Sequence, residues 1–276
     1  MDTEKNAAEF LVDAKWLGAN RANVVLIDTR PPADYWAGHL DGALNFDPFP
    51  FHHSDTSEAG LRNFCGQLAW IFSALGISGN ETVVFYENDS GMRATRGAWA
   101  LEYMGHPRVR ILDGGLKLAP GEKLVTVSRP VTPANFTGTP RENAIAARDY
   151  IVQHLGGADT QIFDVRTDEE YYGERVRARH GGAVPGAIHR DWTHNVGSDG
   201  AFKPAAQLRA EFEGLGLDPG REIIPYCQGG YRSANAYVAL RIAGYPRVRN
   251  YLGSWAEWGN RDDLPIESPR RRTPRN

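Results

Sequence analysis

The chain has 276 residues, a formal net charge of −3 and an isoelectric point near 6.3. That balance excludes a strongly basic nucleic-acid surface or a polybasic membrane-binding face as a leading reading. Hydrophobic residues make up 41% of the chain, and no apolar run reaches the ~18–20 residues of a membrane span. Asp2, Glu4 and Lys5 come before any apolar stretch, so no signal peptide is expected. Cys65 and Cys227 are the two cysteines. They make no disulfide framework and cannot complete a four-ligand zinc site, and a reducing cytoplasm is the expected compartment.

In chain order, residues 23–46 (NVVLIDTRPPADYWAGHLDGALNF) open with an apolar run that ends in Asp28-x-Arg30, continue to Tyr35 and close on Gly42-Ala43. His52-His53 follow without a third ligand nearby, and no metal is assigned to them. Leu61–Leu75 has an apolar helical pattern, so Cys65 within it reads as inert packing. ETVVFY (81–86) is an apolar run, and GHPRV (105–109) follows it. Residues 119–146, rich in Pro, Thr and Gly without a sustained period, read as a connection over the surface.

The same markers then recur. Residues 161–189 carry an apolar run into Asp164-x-Arg166, then Tyr171 and Gly186-Ala187; EIIPY (222–226) matches ETVVFY; GYPRV (244–248) matches GHPRV. Three pairs in the same order mean two copies of one domain of about 120 residues. The expected boundaries are 1–125 for the first domain, 126–146 for the linker, 147–267 for the second domain and 268–276 for a flexible basic tail. Short β runs alternate with helical stretches, which favours parallel strands joined by crossover helices. The continuous apolar runs Gln161–Val165 and Glu222–Tyr226 fit strands buried on both faces. A helix is expected over Ala234–Ala243, stopping at Gly244 with Pro246 beyond.

The chemistry concentrates in Cys227-Gln228-Gly229-Gly230-Tyr231-Arg232-Ser233, between the strand ending at Tyr226 and that helix. Ligand sites in open α/β sheets lie at the carboxyl ends of strands. Two glycines let the backbone curl so that several N–H groups point inward, and the helix directs its positive end to the same place. With Arg232 these features depress the Cys227 pKa and cradle an anion. Cys227 is thus the expected nucleophile, with Gln228, Gly229, Gly230, Tyr231 and Arg232 as the substrate-binding loop.

This loop, the repeated Asp-x-Arg…Gly-Ala element and the ending Gly253-Ser254-Trp255-Ala256-Glu257-Trp258 resemble a two-domain rhodanese, a thiosulfate sulfurtransferase, over roughly residues 9–267. The loop looks most like a bacterial subgroup whose loop begins Cys-Gln. The resemblance implies two tandem α/β domains, each a mostly parallel sheet flanked by helices, with only the second catalytic. Glu87 aligns with Cys227 when Tyr86 is set on Tyr226, and a carboxylate cannot carry a persulfide. The spacing Cys-x4-Arg matches the sulfur-transferring members; related phosphatases use Cys-x5-Arg.

The implied reaction moves sulfur from thiosulfate to Cys227 and on to a thiophilic acceptor such as cyanide or a thiol, with no metal or organic cofactor. A persulfide carrier serving a protein partner and a mercaptopyruvate enzyme stay as alternatives, with a cysteine-based phosphatase, disfavoured by the loop length, behind them. The mercaptopyruvate reading is disfavoured by Glu170, which stands where such enzymes place an Arg and is expected to repel a pyruvate carboxylate. Asp164 and Arg166 are expected to support the strand end by pairing. Trp192 either walls the pocket or packs in the core. Arg175, Arg177, Arg179 and His180 read first as a solvated basic loop, and second as a source of positive potential near the pocket. Trp255 and Trp258 read as core.

Overall fold

The structure is a computed structural model and describes residues 10–271. The first half builds one sheet from β1 (Leu11–Val12), β2 (Val24–Asp28), β3 (Leu44–Asn45), β4 (Thr82–Tyr86) and β5 (Val109–Leu112), in the parallel order β1-β5-β4-β2-β3. Helices α1 (Glu58–Ala74) and α2 (Met92–Tyr103) cross over between parallel neighbours. α1 starts where the Ser57 side chain accepts the Gly60 N–H at 3.1 Å, a standard cap that meets one orphan donor.

The second half repeats the plan with β6 (Ile145–Ala146), β7 (Thr160–Asp164), β8 (Ile188–His189), β9 (Glu222–Tyr226) and β10 (Asn250–Tyr251). β8-β7-β9 form a parallel sheet, Ile223 of β9 bridges Val248, and β10 pairs with β6. The spatial order therefore matches the first sheet strand for strand. Helices α3 (Asp168–Tyr171), α4 (Ala205–Gly214), α5 (Arg232–Ile242) and α6 (Ser254–Trp258) flank it, with a further short helix at Arg148–His154.

The sequence markers of the repeat make the same contacts in both halves. Asp28 lies opposite Tyr86 and Asp164 opposite Tyr226 in register. Arg30 Nη2 donates to Asp28 Oδ2 at 2.6 Å and to the Gly38 carbonyl at 2.7 Å; Arg166 does the same with Asp164 at 2.6 Å and Gly182 at 2.7 Å. The Tyr35 hydroxyl donates to the Ala43 carbonyl at 2.9 Å, and that of Tyr171 to Ala187 at 3.2 Å.

Residues 126–141 contain no helix or strand but are fastened to the first domain: the Phe136 N–H donates to Ser73 Oγ at 3.0 Å, and the Phe136 ring is buried. α2 and α5, the helices that follow corresponding loops, pack against each other. One apolar cluster runs across this seam, from Phe64, Phe85 and Trp99 to Phe163, Tyr237 and Leu240. Polar clasps add to it: the Ser90 N–H donates to the Gly200 carbonyl at 2.7 Å, and Thr56 donates to the Glu257 carboxylate through its N–H at 2.9 Å and its hydroxyl at 2.6 Å. The basic tail lies partly outside the described residues. Among the described residues no helix is long and apolar enough to cross a membrane.

Candidate active site

Cys227 directly follows β9 and is buried. Its loop closes tightly because α6 covers the loop carbonyls: the Trp255 N–H donates to the Cys227 carbonyl at 2.9 Å and the Ala256 N–H to that of Gln228 at 2.8 Å. The Cys227 N–H donates to Ser254 Oγ at 3.1 Å, and that hydroxyl lies 4.0 Å from Cys227 Sγ. Ser254 is the only non-glycine among the described residues with positive φ, 52°. A left-handed conformation costs a side-chain-bearing residue about 1–3 kcal/mol and persists where surrounding contacts hold it. Gly230 has φ 84°, and an added Cβ would stand 2.7 Å from the Leu252 carbonyl, so glycine is required there by both strain and space.

Burial by itself would push the Cys227 thiol up. It is outweighed by the Arg232 guanidinium, by the backbone N–H groups of Ser233 and Gly229, and by the Ser233 hydroxyl, and the net shift is downward. The thiolate, the reactive form, is therefore favoured.

Arg232 does not act alone. Its Nη1 and Nη2 meet Glu170 Oε2 and Oε1 at 2.5 and 3.0 Å, and Arg177 reaches Glu170 Oε1 at 3.1 Å. Burial would raise the Glu170 carboxyl, but Arg232, the Thr167 N–H and Arg177 hold it at about 2. Glu170 thus corrects the sequence expectation. Its side chain is 1% exposed and is not part of the wall of the cavity over Cys227, so it does not confront a donor's carboxylate there directly. It acts instead as the shared counter-ion that orients two guanidiniums.

A cavity of about 500 Å³ opens over Cys227. Gln228, Gly229, Tyr231, Arg232 and Arg177 form its wall from the second domain; Phe49, His52 and Met92 form it from the first. The Phe49 ring stacks on Tyr231, 4.5 Å between centroids, and the Tyr231 hydroxyl donates to the Pro48 carbonyl at 3.1 Å. His52 sits over Gly229: a Cβ on Gly229 would come within 2.4 Å of His52 Cε1. Burial and the nearby Arg96 lower the His52 pKa, which disfavours the charged ring.

Of the residues expected from the sequence, Cys227, Gln228, Gly229, Tyr231 and Arg232 meet at the cavity, while Gly230 lies beneath it. Asp164 ends β7 beside Tyr226 of β9, and both it and Arg166 are buried; the Tyr226 hydroxyl also donates to Asp164, so their contacts are those of a structural pair. Trp192 packs, half-buried, against the main core and is not part of the cavity wall. Arg179 and His180 pair with Asp262 at the surface, and only Arg177 of that basic stretch reaches the cavity. Phe49, His52 and Met92 were not foreseen as wall residues, nor was Ser254. The His52-His53 pair stood out in the sequence but suggested only a metal, and no group able to hold one occurs among the described residues.

In the first domain the corresponding loop is filled from within. Glu87 stands at the cysteine position, and its Oε1 accepts the N–H groups of Arg93 and Ala94, both at 2.8 Å. Met92 occupies the Arg232 position, and Arg93 turns away to Asp47 at 2.8 Å. Burial raises the Glu87 carboxyl to about 7 despite those amides.

A model of the rhodanese-like domain matches residues 13–118 and again 147–261. The chain belongs to the rhodanese family. It is similar to the thiosulfate sulfurtransferase of Azotobacter vinelandii, 35% identical over 88% of this chain and 91% of the relative. It is also similar to the sulfur carrier protein TtuD of Thermus thermophilus, 33% identical over 84% and 86%. Among solved rhodanese-fold structures, a probable thiosulfate sulfurtransferase superposes with a TM-score of 0.70 at 29% identity, covering 89% of this chain and 97% of that one. The anaerobic ergothioneine biosynthesis enzyme of Chlorobium limicola shares the fold, with a TM-score of 0.83 at 23% identity over 94% of this chain and 70% of its own. The duplicated rhodanese plan places a cysteine at one loop and a carboxylate at the other.

Proposed function

We propose that this rhodanese is a thiosulfate sulfurtransferase that works through a persulfide on Cys227. The observation that carries the reading is a buried cysteine with a lowered pKa, at the floor of a cavity walled by Arg232 and Arg177. The Cys227 thiolate attacks the outer sulfur of thiosulfate. The S–S bond breaks, its electron pair leaves on sulfite, and the sulfane sulfur stays on Cys227. Arg232 and the loop N–H groups hold the sulfonate and then the persulfide charge, an electrostatic role. A thiophilic acceptor, cyanide or a thiol, attacks the outer sulfur in the second step and regenerates the thiolate. Covalent storage on the protein predicts ping-pong kinetics. The first domain, with Glu87 in place of cysteine, carries no sulfur in this scheme, and the domain boundaries follow the repeat. The reaction needs no cofactor, and reduced thiols in the cytoplasm are the natural setting.

The deciding experiment is the intact mass after incubation with thiosulfate. A gain of one sulfur, ~32 Da, that survives Cys65→Ser and disappears in Cys227→Ser is expected from thiolate chemistry at one site. Sulfur that follows Cys65, or no gain at all, would overturn the assignment. The likeness to a named sulfur carrier supports a second role, transfer to a protein thiol. Faster discharge of the loaded protein by a candidate protein acceptor than by cyanide or small thiols would favour that role.

A further inference from the structure

Arg96 belongs to α2, in the domain whose loop carries Glu87 in place of a cysteine, yet it reaches the loop of the other domain. Its Nη1 lies 3.4 Å from the Gly230 carbonyl, inside the Cys227 loop, and its Nη2 is buried with no hydrogen-bond partner. Its guanidinium lies over three rings, 4.8 Å from the centroid of Trp99, 4.9 Å from Tyr231 and 5.4 Å from Phe64. It is 3% exposed, and no carboxylate pairs with it among the described residues. Arg166, the other deeply buried arginine near the site, has Asp164, and Arg232 has Glu170.

An unpaired charge in a protein interior is strongly unfavourable, and aromatic faces offset only part of that cost. Burial weakens the proton affinity of Arg96, bringing it to about 10, while Tyr231 and Cys227 act to restore it. The groups facing Cys227 are Arg232 and Ser233 of α5, Ser254 of α6, Tyr231 and Arg96, with His52 and Arg177 across the cavity. Glu170 already neutralises much of Arg232, and the two groups whose negative forms favour the Arg96 charge are Tyr231 and Cys227. Burial raises the Tyr231 hydroxyl while the Cys227 thiol is lowered, so the sulfur is the one of the two that ionises first.

We propose that Arg96 is the cross-domain counter-ion of the Cys227 sulfur anion, a positioning residue that keeps the thiolate, and then the persulfide, ionised from beneath the loop. This assigns the first domain a part in the chemistry: it carries no nucleophile but supplies a buried positive charge to its twin. The assignment concerns the acidity of Cys227 and does not depend on the identity of the sulfur donor.

The test reads that acidity directly in the full chain, in a Cys65→Ser background. Alkylation of Cys227 by iodoacetamide is followed as a function of pH for the parent, Arg96→Met, Arg96→Gln and Arg96→Lys. Met and Gln remove the charge; Gln can keep a hydrogen bond to the Gly230 carbonyl. The midpoint is expected to rise by about one pH unit in the two neutral variants, a tenfold loss of thiolate at a fixed pH below it, and by much less in Lys. A folded neutral variant with an unmoved midpoint would overturn the proposal, as would a Lys variant shifted as far as Met, since packing and not charge would then be responsible. Should neither neutral variant fold, the melting difference between Cys227→Asp and Cys227→Asn is compared in the parent and in Arg96→His, whose buried ring is uncharged at pH 8. A smaller difference in Arg96→His is expected, and an unchanged one would refute the counter-ion role, since Arg232 and the loop N–H groups are common to both.

Discussion

Glu170 grips Arg232 through both guanidinium nitrogens, at 2.5 and 3.0 Å, six positions after Asp164 in the second copy of the repeat. The guanidinium proposed to bind the donor is therefore pre-aimed by a carboxylate that stands outside the cavity wall. Such a two-point ion pair fixes the plane of the guanidinium, which a lysine cannot reproduce.

That pair has a signature in acid. The Glu170 carboxyl titrates near 2 in the folded protein, below its ordinary value of 4.5. Its contribution to stability is complete above about 4.5 and is lost as pH falls through about 2. Glu170→Gln should flatten the stability profile within that window while lowering stability at neutral pH. Chemical denaturation from pH 2 to 7 checks it; parallel curves for the two proteins would contradict the pairing.

Arg232→Ala should cost roughly 10- to 150-fold in kcat/KM for thiosulfate, the range of a charge-assisted hydrogen bond of ~1.5–3 kcal/mol. Lys should restore only part. Arg177 is different, because its side chain is 46% exposed and solvent screens it. Arg177→Ala should raise KM about two- to fivefold with kcat held, and the effect should fade with added salt. Steady-state kinetics at two ionic strengths separates the two roles.

Gly229 and His52 meet across the domain seam, and a Cβ at 229 would collide with the His52 ring at 2.4 Å. Gly229→Ala alone should lose activity by displacing His52 into the cavity. Adding His52→Ala should recover most of it, because the clash is with a side chain and not with backbone. Comparing kcat/KM for the two single variants and the double variant shows this as non-additivity. Losses that simply multiply would mean that the glycine serves loop conformation alone.

Glu87→Cys should not create a second sulfur site. Met92 stands where Arg232 would stabilise a thiolate, and Asp89 stands where the loop needs Gly229. The introduced thiol should stay unloaded by thiosulfate, with the mass gain limited to one sulfur. Glu87→Gln should be neutral or stabilising above about pH 7, since the raised carboxyl loses stability as pH climbs from 4.5 towards 7. Thermal melts at pH 5 and 8 measure it.

The repeat was legible because it is local. Asp-x-Arg, the tyrosine and the Gly-Ala pair are short-range patterns, and each turned out to be one side of a contact made within its own copy. The Cys227 loop was legible for the same reason, since strand, glycines and helix lie next to one another in sequence. What escaped was everything that depends on how the copies face each other. Arg96 reads as one of several polar residues in its helix, beside Arg93, Thr95 and Glu102, and Phe49 and Met92 carry no pattern that points across a seam. Glu170 was noticed for the right position and given the wrong role, because the sequence shows its charge but not the two arginines that surround it. Ser254 escaped too, since a left-handed serine has no signature in residue order.

The shared cavity has one more consequence. Phe49, His52 and Met92 close it from the first copy while Cys227 lies on the floor of the second. Parting the seam by a few ångströms would admit water to the floor, and solvated charges attract one another far more weakly than enclosed ones. The enclosure of the loop is thus shared between two copies in a single chain: a severed second copy would keep every residue of its loop and lose the Phe49, His52 and Met92 side of the cavity in which that loop's charges act.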